Sequence, residues 1–521
     1  MKIERKNTCI AIYGYNPGDC QYIERLFSIY DKVRHCYNAY GIYYDEDTQT
    51  LYLPNGFDDF YIFKNFPDVP YSVKQGSDEF DRVTPSQLRV RPRDEVQLKA
   101  INYCLGLGQY YNNRNRSQIS LNLNTGKGKT YVAITIFAYY SIKTMMIASS
   151  IDWLNQWKEK ILEYTNLSPD EIYIISGAPS IYKLKSGFRD KDKIKFYLCS
   201  HDTLSSYAKK NGWESIHELF QYLRIGIKIY DEAHLYFNNI LMIDFFTNTW
   251  KTYYLTATPI KSDRDENKIY QIAYSNIPKL SLFNEDTDPH TKYIAVQYNS
   301  HPTLREVNMC KNAYGFDRNK YIDYTLSRPN FFKITQLVVE YALKNISVDG
   351  KILIYIGTNK AIAVVYAFLT FLFGSKVKIG VFSSLVSKEK KKEELNNTII
   401  LTTTKSAGAA LDIEGLQVTI VLDEPFNSAV LARQTLGRTR AKDTMYIDVV
   451  DIGFNALVRY YRNKQKIFRK YATSCDVVIY EDYMIDQCVK DINDRELKRL
   501  EELSKSKQLK EVVTFIKKKN E

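Results

Sequence analysis

The sequence holds no CxxC pair and no histidine cluster, and its eight cysteines, Cys9, Cys20, Cys36, Cys104, Cys199, Cys310, Cys475 and Cys488, are scattered. Zinc ribbons and thiol–disulfide motifs are thereby excluded, and buried free thiols in a reducing cytoplasm are expected. Long apolar runs are missing too. The longest, Ala361 to Phe373, is too short to cross a bilayer and predicts a buried helix. Met1 to Asn7 is charged and leads into no apolar signal stretch, so no membrane partner is expected. Tandem repeats and low-complexity segments are also lacking, which excludes solenoid and fibrous architectures.

What is present is a globular composition, 45% hydrophobic and 25% charged over 521 residues. That length predicts roughly two to four domains. The net charge of +12 leaves two readings open. One is a Lys-rich soluble surface; the other is a polyanionic partner, because clustered cations release counterions condensed on phosphates. The basic runs Lys388 to Lys392 and Lys517 to Lys519 are short and read as a solvated helix face and a tail. Tyr is abundant, at 43 residues, which points to an AT-rich coding sequence.

Residues 1–85 alternate short aromatic stretches with turn signals such as Asn16-Pro17-Gly18 and Pro54-Asn55-Gly56, predicting a small α+β domain. Pro67 to Pro85 reads as a linker out of it. From 86 to 285 strand-like runs (Ile119 to Leu123, Thr144 to Ser149, Lys195 to Cys199, Ile225 to Tyr230, Thr252 to Thr256) alternate with helical stretches, the rhythm of a parallel sheet. Residues 286–330 are less regular and read as a linker. The rhythm returns over 331–475, and 476–521 reads as a short, charged helical tail. The expected fold is α/β, with two tandem parallel-sheet domains behind a small α+β domain.

Asn124-Thr125-Gly126-Lys127-Gly128-Lys129-Thr130 lies between a predicted strand and a predicted helix. In that context glycines let backbone N–H groups turn toward phosphates, and the helix N-terminus adds positive potential. Lys129 can reach the β- and γ-phosphates, and the Thr130 hydroxyl can ligate Mg²⁺. Leu123 stands where the usual loop has its first glycine. A second cluster, Asp231-Glu232-Ala233-His234, follows the run Ile225 to Tyr230, and open parallel sheets bind ligands at the carboxyl ends of their strands. Asp231 is placed to hold the metal and Glu232 to orient or deprotonate an attacking water. His234 is placed to bridge toward a nucleic-acid side or toward the second domain, a coupling role. Trp153 and Trp157, at i, i+4 spacing, read as core.

With these motifs in order, residues 86–475 resemble superfamily 2 helicases, specifically those with a DEAH box. The resemblance implies two RecA-like domains, ATP and Mg²⁺ as cofactors, and a nucleic-acid partner. Thr256-Ala257-Thr258 resembles the third motif, so Thr256 and Thr258 are implied to couple hydrolysis to domain movement. Arg93 and Gln97 resemble the upstream motif that recognises adenine. Ser149 and Ser150, with Gln156-Trp157 downstream, resemble a strand-end loop that touches the nucleic-acid backbone; Thr403 and Thr404 resemble a second such contact. Asp412 resembles a nucleotide sensor, although Ala410 stands where the family has a glycine. Gln434-Thr435-Leu436-Gly437-Arg438-Thr439-Arg440 resembles the arginine motif that contacts the transferring phosphate, with Gln434, Arg438 and Arg440 as its working side chains. The second arginine comes one residue early, as in some viral helicases of the herpesvirus origin-binding type. The order of domains is similar to that of phage branch-migration helicases, which implies that residues 1–85 are an accessory domain that binds nucleic acid. The implied function is an ATP-dependent DNA helicase or translocase acting on forks, junctions or single strands, in a cytoplasm, the host's if the source is viral. An RNA-directed or transcription-termination motor, and an ATP-binding switch with little unwinding, stay open as alternatives.

Overall fold

The computed structural model describes residues 1–31, 34–74, 76–123, 127–149, 151–187, 190–256, 264–282, 291–313, 315–407, 413–423, 435, 443–488 and 494–505. The chain forms two compact units, Met1–Glu285 and Asp286–Glu521. Among the described residues, no helix is long and apolar enough to cross a membrane.

The first unit opens with a five-stranded sheet of β1 (Lys2–Arg5), β2 (Cys9–Tyr13), β3 (Tyr43–Asp45), β4 (Thr50–Pro54) and β5 (Tyr71–Val73), in the order β3-β4-β2-β1-β5. Strand β5 falls within the stretch expected to be a linker. It is only three residues long, too short for an alternation to show in sequence, and it is fixed by parallel pairing with β1. Behind this sheet stands a larger one, all parallel: β6 (Gln118–Asn122), β7 (Thr144–Ala148), β8 (Ile172–Ile175), β9 (Phe196–Ser200), β10 (Ile227–Tyr230), β11 (Lys251–Thr256) and β12 (Lys279–Ser281). Their order is β8-β9-β7-β10-β11-β6-β12. Helices α1 (Glu95–Leu105), α2 (Lys129–Tyr140), α3 (Ile151–Tyr164), α4 (His201–Asn211) and α5 (Phe237–Phe245) connect and flank the strands. Residues Tyr131 to Phe137 of α2 are buried without a break, as expected of a helix that is apolar all round.

The small sheet shares one hydrophobic core with the large one. Tyr43 and Tyr52 pack on Phe246 at ring separations of 5.5 and 5.3 Å. Gly41 N–H donates to Asn238 Oδ1 at 3.2 Å, and Asn7 N–H donates to Asn248 Oδ1 at 3.0 Å. The accessory sheet is therefore seated on α5, the helix that follows the acidic box.

The second unit contains β13 (Thr291–Tyr298), β14 (Lys351–Ile356), β15 (Ile379–Phe382), β16 (Ile399–Thr402), β17 (Leu416–Asp423), β18 (Thr444–Asp451) and β19 (Ser474–Ile479), in the order β15-β16-β14-β17-β18-β13-β19, all parallel. Strand β13 lies in the segment read as a linker, and β19 runs into the segment read as a tail. Strand β19 follows β18 through the helix Asn455–Tyr471, and both β13 and β19 pair with strands that are not their neighbours in sequence. Helix α6 (Asn359–Phe373) contains the longest apolar run and is buried from Ala361 to Leu369, as expected. The cysteines described are free thiols, most of them buried.

One buried group sets a pH dependence. His201, at the start of α4, is fully buried and stacked between Tyr230 and Tyr236 at ring separations of 5.8 and 4.9 Å. Among the described residues neither ring nitrogen has a hydrogen-bond partner, and burial drives the imidazole down to about 3. The unfolded chain, with a pKa of about 6.5, binds a proton that the folded chain refuses, so stability rises with pH across this window and is lost as pH falls below about 6.5, at about 1.4 kcal/mol per pH unit. His201→Phe keeps the stack and removes the titration. Denaturant midpoints at pH 7 and pH 5, followed by tryptophan fluorescence, should converge in this variant by about one proton's worth of slope; an unchanged slope would rule His201 out as the source.

Candidate nucleotide site

Three strand ends of the first unit converge at the carboxyl edge of its sheet. β6 leads through Leu123 toward Lys129, the first residue of α2. β10 delivers Asp231, Glu232 and His234, and β11 ends on Thr256. Backbone bonds lock the ends in register: Leu123 N–H donates to Thr256 O and Ala233 N–H to Leu255 O, both at 3.0 Å, and Asp231 N–H donates to Ile147 O at 3.0 Å.

Lys129 Nζ donates to Glu232 Oε1 at 2.7 Å, and both side chains are nearly buried. Glu232 sits at φ +48°, left-handed backbone that costs a non-glycine residue about 1–2 kcal/mol. Such strain persists where the surroundings over-determine it, and it accumulates at working sites. Asp231 is buried beside it. Its Oδ2 accepts from Trp157 Nε1 at 3.0 Å, and its Oδ1 accepts from the Glu232 N–H at 3.0 Å. Burial, and then the neighbouring Glu232 carboxylate, push the Asp231 carboxyl up to about 6. A buried carboxylate held at a raised pKa beside an ammonium is an environment that a divalent cation and phosphates would relax. His234 Nδ1 and Thr256 Oγ1 lie 2.7 Å apart, and His234 is also 3.5 Å from Glu232, so box and third motif are joined through one imidazole.

Gly128 precedes α2 at φ +88°. A Cβ there would lie 1.9 Å from Gln97 Nε2, so only glycine fits both the backbone and the neighbour. Gln97 is buried; its Oε1 accepts from Arg93 N–H at 2.7 Å, and its own N–H is capped by Asp94 Oδ1 at 2.8 Å. Gln97 thus lies directly against Gly128, and Arg93 holds the Gln97 side chain through its backbone N–H. Lys127 and Thr130 are half-buried beside it.

The acidic box stands on a buried ionic cluster. Asp244 of α5 accepts from Tyr230 OH at 2.8 Å and Tyr254 OH at 2.6 Å, and it pairs with the fully buried Lys228 at 2.5 Å. Tyr230 is the residue immediately before Asp231. Nothing in the spacing of the sequence signals this cluster, nor the Trp157 bond to Asp231, although Trp153 and Trp157 are core residues as expected. In the second unit Lys464 and Asp448 pair at 2.6 Å, and Tyr293 OH donates to the same aspartate at 3.0 Å.

Ser149 is half-buried just past the end of β7. Thr403 is buried and donates to Ser406 Oγ at 3.0 Å, while Thr404 opens the short helix Thr404–Ala407. Asn124, Thr125, Gly126, Ser150, Thr258, Asp412, Gln434, Arg438 and Arg440 lie outside the described residues.

Residues 88–261 match the family described as type III restriction enzyme, res subunit (ResIII). No curated protein matches the chain in sequence. Among solved structures, Mss116p bound to ssRNA and AMP-PNP is 13% identical with a TM-score of 0.50, covering 75% of this chain and 74% of that one. S. cerevisiae Dbp5 bound to RNA and ADP BeF3 is 14% identical with a TM-score of 0.47, covering 75% and 89%. T4 UvsW is 15% identical with a TM-score of 0.33, covering 92% and 100%. The fold likeness is carried by the Mss116p comparison. With two all-parallel seven-stranded sheets and a fold like that of Mss116p, the chain has two tandem RecA-like domains behind a small α+β domain, and residues 88–261 of it match the ResIII family.

Proposed function

We propose that the chain is an ATP-driven DNA helicase or translocase, in which hydrolysis powers unwinding or branch migration. The observation that carries this reading is the Lys129–Glu232 pair at 2.7 Å, beside buried Asp231 at the carboxyl edge of a parallel sheet. Lys129 is proposed to exchange its contact with Glu232 for the β- and γ-phosphates when ATP enters. Freed of the ammonium, Glu232 is the base that orients and deprotonates water. Thr130 and Asp231 are the residues that would hold Mg²⁺, which when bound would offset charge on the phosphates. Gln97 and Arg93 support the loop from behind, and the His234–Thr256 contact transmits its state along β11. Residues 1–85 are proposed as an accessory nucleic-acid-binding element, fixed to the motor through α5.

An RNA-directed motor is the second reading, favoured by one observation: the Mss116p structure of like fold is bound to ssRNA and AMP-PNP. ATP hydrolysis measured alone, with single-stranded and forked DNA, and with RNA separates the two. DNA is expected to stimulate turnover and forked DNA to be unwound. Stimulation by RNA alone would replace the first reading with the second. Hydrolysis indifferent to both would leave only an ATP-binding switch.

A further inference from the structure

At the opposite end of the same strands, where β6 and β11 begin, the first unit has a hollow of about 600 Å³. It lies roughly 20 Å from the nucleotide site, the length of six-residue β11 at about 3.3 Å per residue. Arg82, Arg114, Arg116, Lys251, Tyr139 and Trp250 line it, and no carboxylate does. The three arginines are exposed, and among the described residues none has an ion-pair partner. Lys251 plays a different part. It is buried, and its ammonium donates to Arg114 O at 2.9 Å and Arg116 O at 2.8 Å, which pins the segment carrying two of the arginines. The same ammonium lies 5.0 Å from the Trp250 ring, and Tyr140 meets Trp250 edge-on at 4.9 Å. Tyr139 is 50% exposed. Past Trp250 a neighbouring hollow is lined by Asp78, Glu79 and Arg224, with Arg224 paired to Glu79 and Asp78 to Lys74, so the run of unpaired cations ends there.

Unpaired guanidiniums on separate segments suit a row of phosphates better than a single one. Accessible aromatic rings beside them suit unstacked bases, since base–aromatic stacking and a cationic groove are the two terms of single-strand binding. We propose that this hollow is a second nucleic-acid site, separate from the motif-lined edge of the sheet. It holds nucleotides of a single strand with phosphates on Arg82, Arg114 and Arg116 and a base against Tyr139 or Trp250. The proposal rests on the motor reading above and extends it: a strand held here would be anchored to the rigid first unit while the opposite edge works.

The test uses the full chain and an oligo-dT carrying 4-thiothymine, with anisotropy for affinity and photocrosslinking mapped by mass spectrometry. Wild-type protein is expected to crosslink on peptides bearing Tyr139 or Trp250. The Arg82→Gln/Arg114→Gln/Arg116→Gln variant should lose those crosslinks and bind about tenfold or more weakly, with the slope of log affinity against log salt smaller by about 2, at roughly 0.7 per phosphate. Tyr139→Ala should weaken binding by roughly fivefold or more. Hydrolysis without nucleic acid should be unchanged in both. Crosslinks confined to other peptides, with affinity and slope unaltered in both variants, would overturn the site. Displacement of these crosslinks by free mononucleotide would overturn the strand assignment. Absence of any oligonucleotide binding by wild-type protein, DNA or RNA, would overturn the motor reading and this site with it, and is seen without any variant.

Discussion

Glu232→Gln is expected to slow ATP hydrolysis by about 10²- to 10⁴-fold, the usual contribution of a positioned general base, while ATP binding survives. The amide keeps the volume of the carboxylate and its place on the left-handed backbone at φ +48°. What it loses is the ability to accept a proton from water. It also releases Lys129, now 2.7 Å from a carboxylate, for the phosphates, so nucleotide affinity should hold or rise. Lys129→Ala should behave oppositely, losing binding as well as turnover, and it leaves Asp231 and Glu232 as two buried carboxylates without their cation. Single-turnover hydrolysis together with equilibrium binding of a fluorescent ATP analogue distinguishes the pair. A Glu232→Gln rate within threefold of wild type would remove this residue from the chemistry.

The largest stability effect should come from Asp244→Ala. This carboxylate is fully buried and serves Lys228, Tyr230 and Tyr254 at once. Its removal strands an ammonium that burial already disfavours and leaves two phenols short of an acceptor. Breaking a buried pair from one side costs about 3–5 kcal/mol. Replacing both charges, as in Lys228→Met with Asp244→Leu, should cost far less, because no unpaired charge remains. All four tryptophans, Trp153, Trp157, Trp213 and Trp250, lie in the first unit, so their fluorescence reports its unfolding in urea. If Asp244→Ala and the double variant lose equal stability, the cluster is not acting as a charge pair. Because Tyr230 leads into Asp231 and α5 bears the accessory sheet, the single variant should also loosen the site.

Much of the site was legible because its motifs are local. A glycine next to a lysine between a strand and a helix, and Asp-Glu-Ala-His at the end of an apolar run, point to a nucleotide chemistry within a few residues. The central strands of both sheets were legible for the same reason: they are continuous apolar runs, as strands buried on both faces must be. Of the strands that escaped, β5, β12, β13 and β19 pair with strands far away in sequence, while β8 is only four residues long and pairs with the next strand, β9.

The candidate phosphate loop and acidic box are thus read from the sequence alone, as is the expectation of two parallel-sheet domains, since each is a pattern local in the chain. Only the tertiary structure placed Trp157 on Asp231, built the Lys228–Asp244 cluster beneath the box, seated the accessory sheet on α5 and gathered three arginines with Tyr139 and Trp250 on the far edge. Those contacts join residues from 10 to more than 200 positions apart. Their energies come from burial and charge pairing, and neither leaves a periodic mark in a chain until it has folded.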